Sequence, residues 1–208
     1  MTSTEIIPVN FYKSKDMNSK EIILNNIKRN TATRYDMPEF RLNGIQYTDK
    51  TAQFSAVLKS VGGSAYLLRE GENVDEVIKT LYPKAKVIAS NCTDVSCATL
   101  NPDETDDAHK LVGIDLAVVN GELGVAENAC VWIPQNVVHK ALYFIAEEMV
   151  ILLDKEKLVN NMHEAYEQIR FSDRGFGLFI SGPSKTADIE QALVIGAQSV
   201  KGLTVILR

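Results

Sequence analysis

The sequence has little cysteine and a single tryptophan, with 3 Cys and 1 Trp among 208 residues. The cysteines are odd in number and lack the spacing of a disulfide framework, which favours a reducing, cytoplasmic setting. Cys92 and Cys97 have four residues between them and no second pair, which is not a zinc-ligand pattern. The chain also lacks an iron–sulfur cysteine motif. His109, His139 and His163 share no metal-ligand spacing, so we predict no metal site.

Long apolar runs and basic segments are also missing. The strongest apolar stretch, residues 141–153, is interrupted by Glu147 and Glu148 and falls short of the roughly 20 residues that span a bilayer. Lys and Arg number 22 against 27 Asp and Glu, and the net charge of −5 argues against non-specific binding to nucleic acid. The first residues have neither the basic nor the apolar region of a signal peptide. We expect no membrane span and no nucleic-acid partner.

The remaining composition is that of a globular protein. Apolar residues make up 45% and charged residues 24% of the chain, which suits one α/β domain with a sizeable core. We predict an N-terminal arm and helix over residues 1–48, with the helix at 19–29 capped by Ser19, and an α/β domain over residues 49–208.

Helix and strand patterns alternate from residue 49 onward. Helices are predicted at 51–59 and 74–81, each followed by a strand, at 65–68 and 86–89. Two further strands, 114–119 and 129–133, are too close for a crossover helix, which favours a mixed sheet with hairpin-like or split pairing. Next come strands at 141–146 and 150–153 and a helix at 155–170.

The closing stretch reads as strand, turn, helix and strand. An apolar strand at 177–180 leads to the turn Ser181–Ser184, and Asp188 and Glu190 are expected in the first turn of the next helix. Ile189, Ala192 and Leu193 are spaced for one helical face, Gly196 ends the helix, and a strand follows at 203–207. This order predicts a parallel βαβ unit.

Two segments carry a resemblance to a known family. Residues 181–190, Ser-Gly-Pro-Ser-Lys-Thr-Ala-Asp-Ile-Glu, with the final Thr-Val-Ile-Leu strand, resemble the carboxyl end of the LUD-domain family, the family of lactate utilisation protein C. Residues 118–127, Val-Val-Asn-Gly-Glu-Leu-Gly-Val-Ala-Glu, are similar to the family's strand, turn and Ala-Glu pair. Where the family commonly continues Thr-Gly-Thr, this chain has Asn128, Ala129 and Cys130.

The resemblance implies both a fold and a role. The expected fold is a three-layer αβα arrangement with an open, mixed, mostly parallel sheet, similar to the NagB/RpiA/CoA-transferase group. The expected role is in the oxidation of L-lactate to pyruvate beside two iron–sulfur partner proteins. The clusters would belong to those partners, and this chain would bind no cofactor of its own. The sequence is also compatible with a homo-oligomer.

Glu127 and Asn128 are the candidate catalytic residues. A carboxylate at a strand edge beside a turn can act as a general base or nucleophile, and the Glu-Asn pair is similar to that of CoA transferases. The alternative is that Glu127 holds the turn by accepting backbone N–H groups.

Two turns supply the candidate substrate-binding residues. Asn120 and Gly121 form a turn dipeptide after a strand. The second turn would bind an anion at the N-terminus of the predicted helix, or would simply cap that helix. Its candidates are Ser181, Gly182, Ser184, Lys185 and Thr186.

Three functions are therefore compatible with the sequence. The first is a component of an L-lactate utilisation system. The second is a small acyl- or phosphoryl-metabolite enzyme of the CoA-transferase-like group that uses Glu127. The third is a non-catalytic assembly or regulatory subunit.

Overall fold

The computed structural model describes residues 18–31, 43–171, 173–189, 192–197 and 199–208. The chain divides into two units, residues 1–42 and 43–208. In the first unit, helix α1 spans Ser19–Asn30. Its N-cap is Asn18 rather than the predicted Ser19, because Asn18 and Glu21 each accept the other's backbone N–H in a capping box. The predicted arm, residues 1–17, lies outside the described residues.

The second unit contains the remaining elements. Its helices are α2 (Lys50–Ser60), α3 (Val74–Leu81), α4 (Leu142–Ile145) and α5 (Met162–Gln168). Its strands are β1 (Ser64–Leu67), β2 (Ile88–Ala89), β3 (Leu116–Asn120), β4 (Leu123–Val125), β5 (Val131–Pro134), β6 (Glu148–Leu153), β7 (Leu158–Val159), β8 (Gly177–Ile180), β9 (Lys185–Ile189), β10 (Ala192–Ile195) and β11 (Gly202–Leu207). Short 3₁₀ turns occupy Pro102–Glu104, Ala108–Leu111 and Lys155–Lys157. None of the described helices is long and apolar enough to cross a membrane.

A five-stranded parallel sheet forms the centre, in the order β1-β11-β6-β3-β2. Alternate residues of its strands face opposite apolar layers. Phe54 and Leu58 of α2 pack in the layer that contains Ile151, whereas Val77 and Ile78 of α3 pack in the other. The predicted α/β fold, with a mostly parallel sheet between helices, is therefore confirmed.

A second sheet, in the order β7-β4-β5-β8, packs over the α2 side of the centre. β4 pairs antiparallel with β5 and parallel with β7, and β5 pairs antiparallel with β8. The short spacing after β3 thus marks the point where the chain leaves the main sheet and begins a hairpin. The expected mixed pairing is found here, in a separate sheet.

The predicted helix after Ser184 is wrong. The chain forms an antiparallel hairpin of β9 and β10 instead, in which Ile189 pairs with Ala192 and Lys185 with Ile195. Within the described residues, the βαβ unit predicted for this closing stretch is therefore replaced by the hairpin, and Asp188 lies within a strand rather than in a first helical turn. Glu190 lies outside the described residues.

Two other predicted elements are also corrected. The apolar run 141–146, predicted as a strand, contains the short helix α4, which shows that a short apolar run does not by itself distinguish helix from strand. The predicted helix 155–170 begins only at Met162, where the side chain of Asn161 caps it by accepting the N–H of Glu164. Leu158 pairs instead in β7, beside Gly124.

Candidate functional site

Three neighbouring parallel strands end at one edge of the main sheet. β3 ends at Asn120, β6 is followed by Asp154, and β11 is followed by Arg208. A cleft of about 390 Å³ opens there, which we call the strand-end cleft. Its polar lining comes from Asn120, Glu122, Asp154, Lys157, Gln168 and Arg208. Ligands of open α/β sheets bind in such crevices outside the carboxyl ends of strands.

Gly121 makes the turn into this cleft possible. A Cβ at this position would overlap the side chain of Val131 and lie 3.0 Å from Ile151 Cγ2. The backbone N–H of Gly121 donates to the carbonyl of Leu152 at 2.9 Å. The predicted pair Asn120 and Gly121 therefore lies where Val131 of the second sheet and Ile151 of the main sheet both approach the backbone, and both residues line the cleft.

Positive and negative groups meet in the strand-end cleft. The guanidinium of Arg208 forms an ion pair with Asp94 and donates to Asn120 Oδ1 at 3.4 Å. Lys157 adds a second cation, while Asp154 and Glu122 add carboxylates. A guanidinium beside an amide can bind a carboxylate, and the acidic groups can accept a hydroxyl proton.

Cys92 is buried close to this edge. Its Sγ lies 3.8 Å from the carbonyl oxygen of Val118. Burial raises the pKa of the Cys92 thiol, and the negative charge of Asp94 acts in the same direction. Cys92 is therefore held as a neutral thiol rather than as a nucleophile.

The predicted catalytic pair lies in the loop that joins β4 to β5. Glu127 Oε1 accepts the backbone N–H of Met162 at 3.1 Å, and the Glu127 N–H donates to Asn160 O at 3.0 Å. Asn128 Oδ1 accepts the N–H of Cys130 at 3.1 Å. Glu127 therefore accepts a backbone N–H, as in the structural alternative, but from α5 rather than from its own turn, and only Asn128 holds the turn locally. The catalytic role of Glu127 and Asn128 stays a prediction.

One residue of the closing turn meets this loop. Ser181 Oγ donates to the carbonyl of Asn128 at 2.7 Å. Burial raises the pKa of the adjacent Cys130 thiol, although the Ser181 hydroxyl opposes this shift. The structure therefore brings Glu127, Asn128 and Ser181 together, because the turn before β5 and the turn after β8 lie at the same end of these two paired strands.

The other residues of the closing turn face elsewhere. Gly182 and Ser184 line a separate groove of about 260 Å³ beside β8. Lys185 Nζ donates to the carbonyl of Val61, and Thr186 pairs with Val194 in the hairpin. The anion site was predicted from free N–H groups at a helix N-terminus, but the turn leads into a strand, and the N–H of Ser184 donates to Val200 O. The argument from a helix N-terminus therefore no longer supports substrate binding by these residues, and this role stays a prediction.

Arg208, Lys157 and Asp154 are cleft residues that sequence reasoning missed. Asp154 and Arg208 each follow a strand directly, which is the signal that could have found them. Among the residues that the structure describes, no three His, Cys, Asp or Glu side chains are grouped so that they could hold a metal ion.

Comparison with known proteins agrees with this architecture. The crystal structure of a DUF162 family protein from Deinococcus radiodurans superposes with a TM-score of 0.60 and 13% sequence identity, covering 79% of this chain and 99% of that one. No curated protein matches in sequence. The model of the LUD domain matches residues 99–207, which include β3 through β11 and most of the strand-end cleft. The chain belongs to the LUD-domain family.

Proposed function

We propose that this protein is a component of an L-lactate utilisation system, and that its strand-end cleft holds the small carboxylate. Membership of the LUD-domain family, which is associated with lactate utilisation proteins, supports the first part. Oxidation of L-lactate to pyruvate removes two electrons and two protons from the substrate. We assign the electrons to iron–sulfur clusters in two partner proteins.

The observation that carries the second part is the pairing of Arg208 with Asn120 at the end of β3. Their 3.4 Å contact places a planar guanidinium and an amide on one wall of the cleft, beside Lys157. A guanidinium can bind a carboxylate through two parallel hydrogen bonds. The carboxylates of Asp154 and Glu122 provide acceptors for the 2-hydroxyl group of lactate.

The direct experiment compares a deletion strain with one that expresses a tagged copy of the chain. The proposal expects growth on L-lactate, but not on glucose, to depend on the chain. It also expects the tagged chain to recover two cysteine-rich iron–sulfur proteins. Unimpaired growth of the deletion strain on L-lactate as sole carbon source would remove the proposed role.

A non-catalytic assembly subunit is the second candidate, and a surface feature favours it. Tyr166 and Phe171 are both 63% exposed and continue an aromatic cluster around Trp132 and Phe179. Exposed aromatic groups of this kind are enriched at protein interfaces. The CoA-transferase-like alternative has less support, because it needs Glu127 to attack a substrate, whereas that carboxylate accepts the N–H of Met162.

A further inference from the structure

A second polar groove lies between the end of β5 and the start of β8. It has a volume of about 420 Å³, and we call it the basic groove. Its lining includes His139, Lys140, Arg174 and Phe176, and its described lining residues include none of those of the strand-end cleft. None of the described lining residues is Asp or Glu, although the chain has a net charge of −5.

Two nitrogen-bearing side chains of the basic groove, those of Lys140 and His139, are held in defined positions. Lys140 Nζ lies 4.9 Å from the centroid of the Phe176 ring, in a cation–π contact. His139 Nε2 lies 3.0 Å from the carbonyl oxygen of Thr105, which fixes the imidazole in the wall. A ligand would therefore meet groups that are already oriented.

The nearby carboxylates do not line the groove. Asp103 and Asp173 are outside its lining. Asp103 Oδ1 accepts the N–H of Val138 at 2.7 Å, and Oδ2 accepts from Asn91 Nδ2 at 2.9 Å. Both carboxylate oxygens of Asp103 thus accept hydrogen bonds from Val138 and Asn91. Lys140 and Arg174 line the groove without an acidic partner in its described lining.

We propose that the basic groove binds a phosphoryl dianion, either inorganic phosphate or the phosphate of a small monoester. A phosphoryl group carries about 1.5 to 2 negative charges at pH 7, which the two cations Lys140 and Arg174 can balance. Arg174 can donate two parallel hydrogen bonds to its oxygens. Phe176, with Ala108 and Ala141, offers an apolar surface to the organic part of a monoester. The basic groove shares no described lining residue with the strand-end cleft and has no carboxylate in its described lining, so it is distinct from the proposed lactate cleft.

The test is titration calorimetry of the full chain with inorganic phosphate, phenyl phosphate and benzoate. Arg174→Gln and Lys140→Gln should each weaken the binding of both phosphates by about tenfold, the effect of one lost charged hydrogen bond. Arg69→Gln removes the same charge from an arginine whose side chain is 84% exposed, and it should leave binding unchanged. Phe176→Leu should weaken phenyl phosphate alone, and thermal melting checks that this variant is folded.

The outcomes separate the sources of the ligand. Tighter binding of phenyl phosphate than of inorganic phosphate supports a monoester site, whereas equal binding supports a site for the free ion. The proposal is overturned if the wild type binds neither phosphate, if benzoate binds as tightly as phenyl phosphate, or if Arg69→Gln weakens binding as much as Arg174→Gln does.

Discussion

Glu127 Oε1 lies 3.1 Å from the backbone nitrogen of Met162, the first residue of α5. A carboxylate at this end of a helix complements the helix dipole and satisfies an N–H group that has no partner within the helix. Because the Glu127 N–H also donates to Asn160 O, the loop between β4 and β5 is joined both to the first residue of α5 and to the chain two residues before it.

Replacement of Glu127 separates a structural from a chemical role. Glu127→Gln keeps an oxygen acceptor for Met162 and should change the free energy of unfolding by less than about 0.5 kcal/mol, whereas Glu127→Ala should cost about 1 kcal/mol. We expect Glu127→Gln to sustain growth on L-lactate. Urea unfolding and growth rates measure the two effects. Lost growth with unchanged stability would establish the predicted catalytic role instead.

The strand-end cleft gives a second prediction. Arg208→Gln and Lys157→Gln should each weaken the binding of L-lactate and pyruvate by about tenfold or more, because each removes a cation that lines the cleft proposed to hold the substrate carboxylate. Lys155→Gln is the matched control, since Lys155 precedes the cleft residue by two positions and does not line the cleft. Ligand-detected NMR of the purified chain provides the measurement. Equal binding by all three variants would contradict the assignment.

Local signals explain which parts of the fold could be predicted. Helix α3 has its predicted bounds, and Pro83 follows its end as a local stop signal. The structure adds that Asn73 caps its start. Residues 185–195 fit a helical face through Ile189 and Ala192, yet the same stretch forms a hairpin. Pairing between β9 and β10 depends on the tertiary context, and the spacing of a short apolar run does not determine it.

The candidate site was predicted only in part, for a related reason. Asn120 and Gly121 were found because they form a local turn signal directly after a strand. Arg208 and Asp154 are 54 residues apart in the sequence and meet in the cleft because β11 and β6 are neighbours. The two strands are neighbours because of the strand order in the sheet, and the sequence pattern does not predict that order.

A half-buried network of amides around the Glu164 carboxylate, in the first turn of α5, predicts a pH dependence. Burial acts to raise the pKa of Glu164, but the N–H of Asn160, the side chains of Gln46 and Asn160, and the charge of Lys50 together lower it. The distances from Glu164 to Asn160 N and Gln46 Nε2 are 2.8 and 2.6 Å. Stability from Glu164 is therefore complete above its unfolded pKa of about 4.3 and is lost as the pH falls through the lower folded value.

Substitution of Glu164 tests this dependence. At pH 7, Glu164→Gln should reduce the free energy of unfolding by about 1–2 kcal/mol, because one acceptor oxygen becomes a donor facing other donors. The difference from wild type should shrink between about pH 5 and pH 3, as the carboxylate becomes protonated. Glu167→Gln, on the exposed side of α5, is the control and should show no such trend. A constant difference at every pH would contradict the prediction.

Ala129 combines a left-handed backbone with complete burial. Its φ is 54°, and its side chain is 0% exposed. Ala129→Gly should relieve about 1 kcal/mol of backbone strain but lose about 0.8 kcal/mol of methyl burial, so its stability should stay within about 1 kcal/mol of wild type. Ala129→Val should cost more than about 2 kcal/mol, since a β-branched residue rarely adopts positive φ. Thermal melts of both variants decide this, and equal destabilisation by Gly and Val would exclude the backbone explanation.

The exposed aromatic pair gives the last prediction. Tyr166 and Phe171 contribute little to the core, so Tyr166→Ser and Phe171→Ser should lower the melting temperature only slightly. If a partner covers these rings, each substitution should reduce recovery of the two iron–sulfur proteins by tenfold or more, the scale of a hot spot near 1.4 kcal/mol. Val112→Ser removes a 69% exposed apolar side chain outside the aromatic cluster and should leave recovery unchanged. Quantitative pull-down from cells grown on L-lactate measures the effect, and equal recovery with all three variants would show that partners bind another surface.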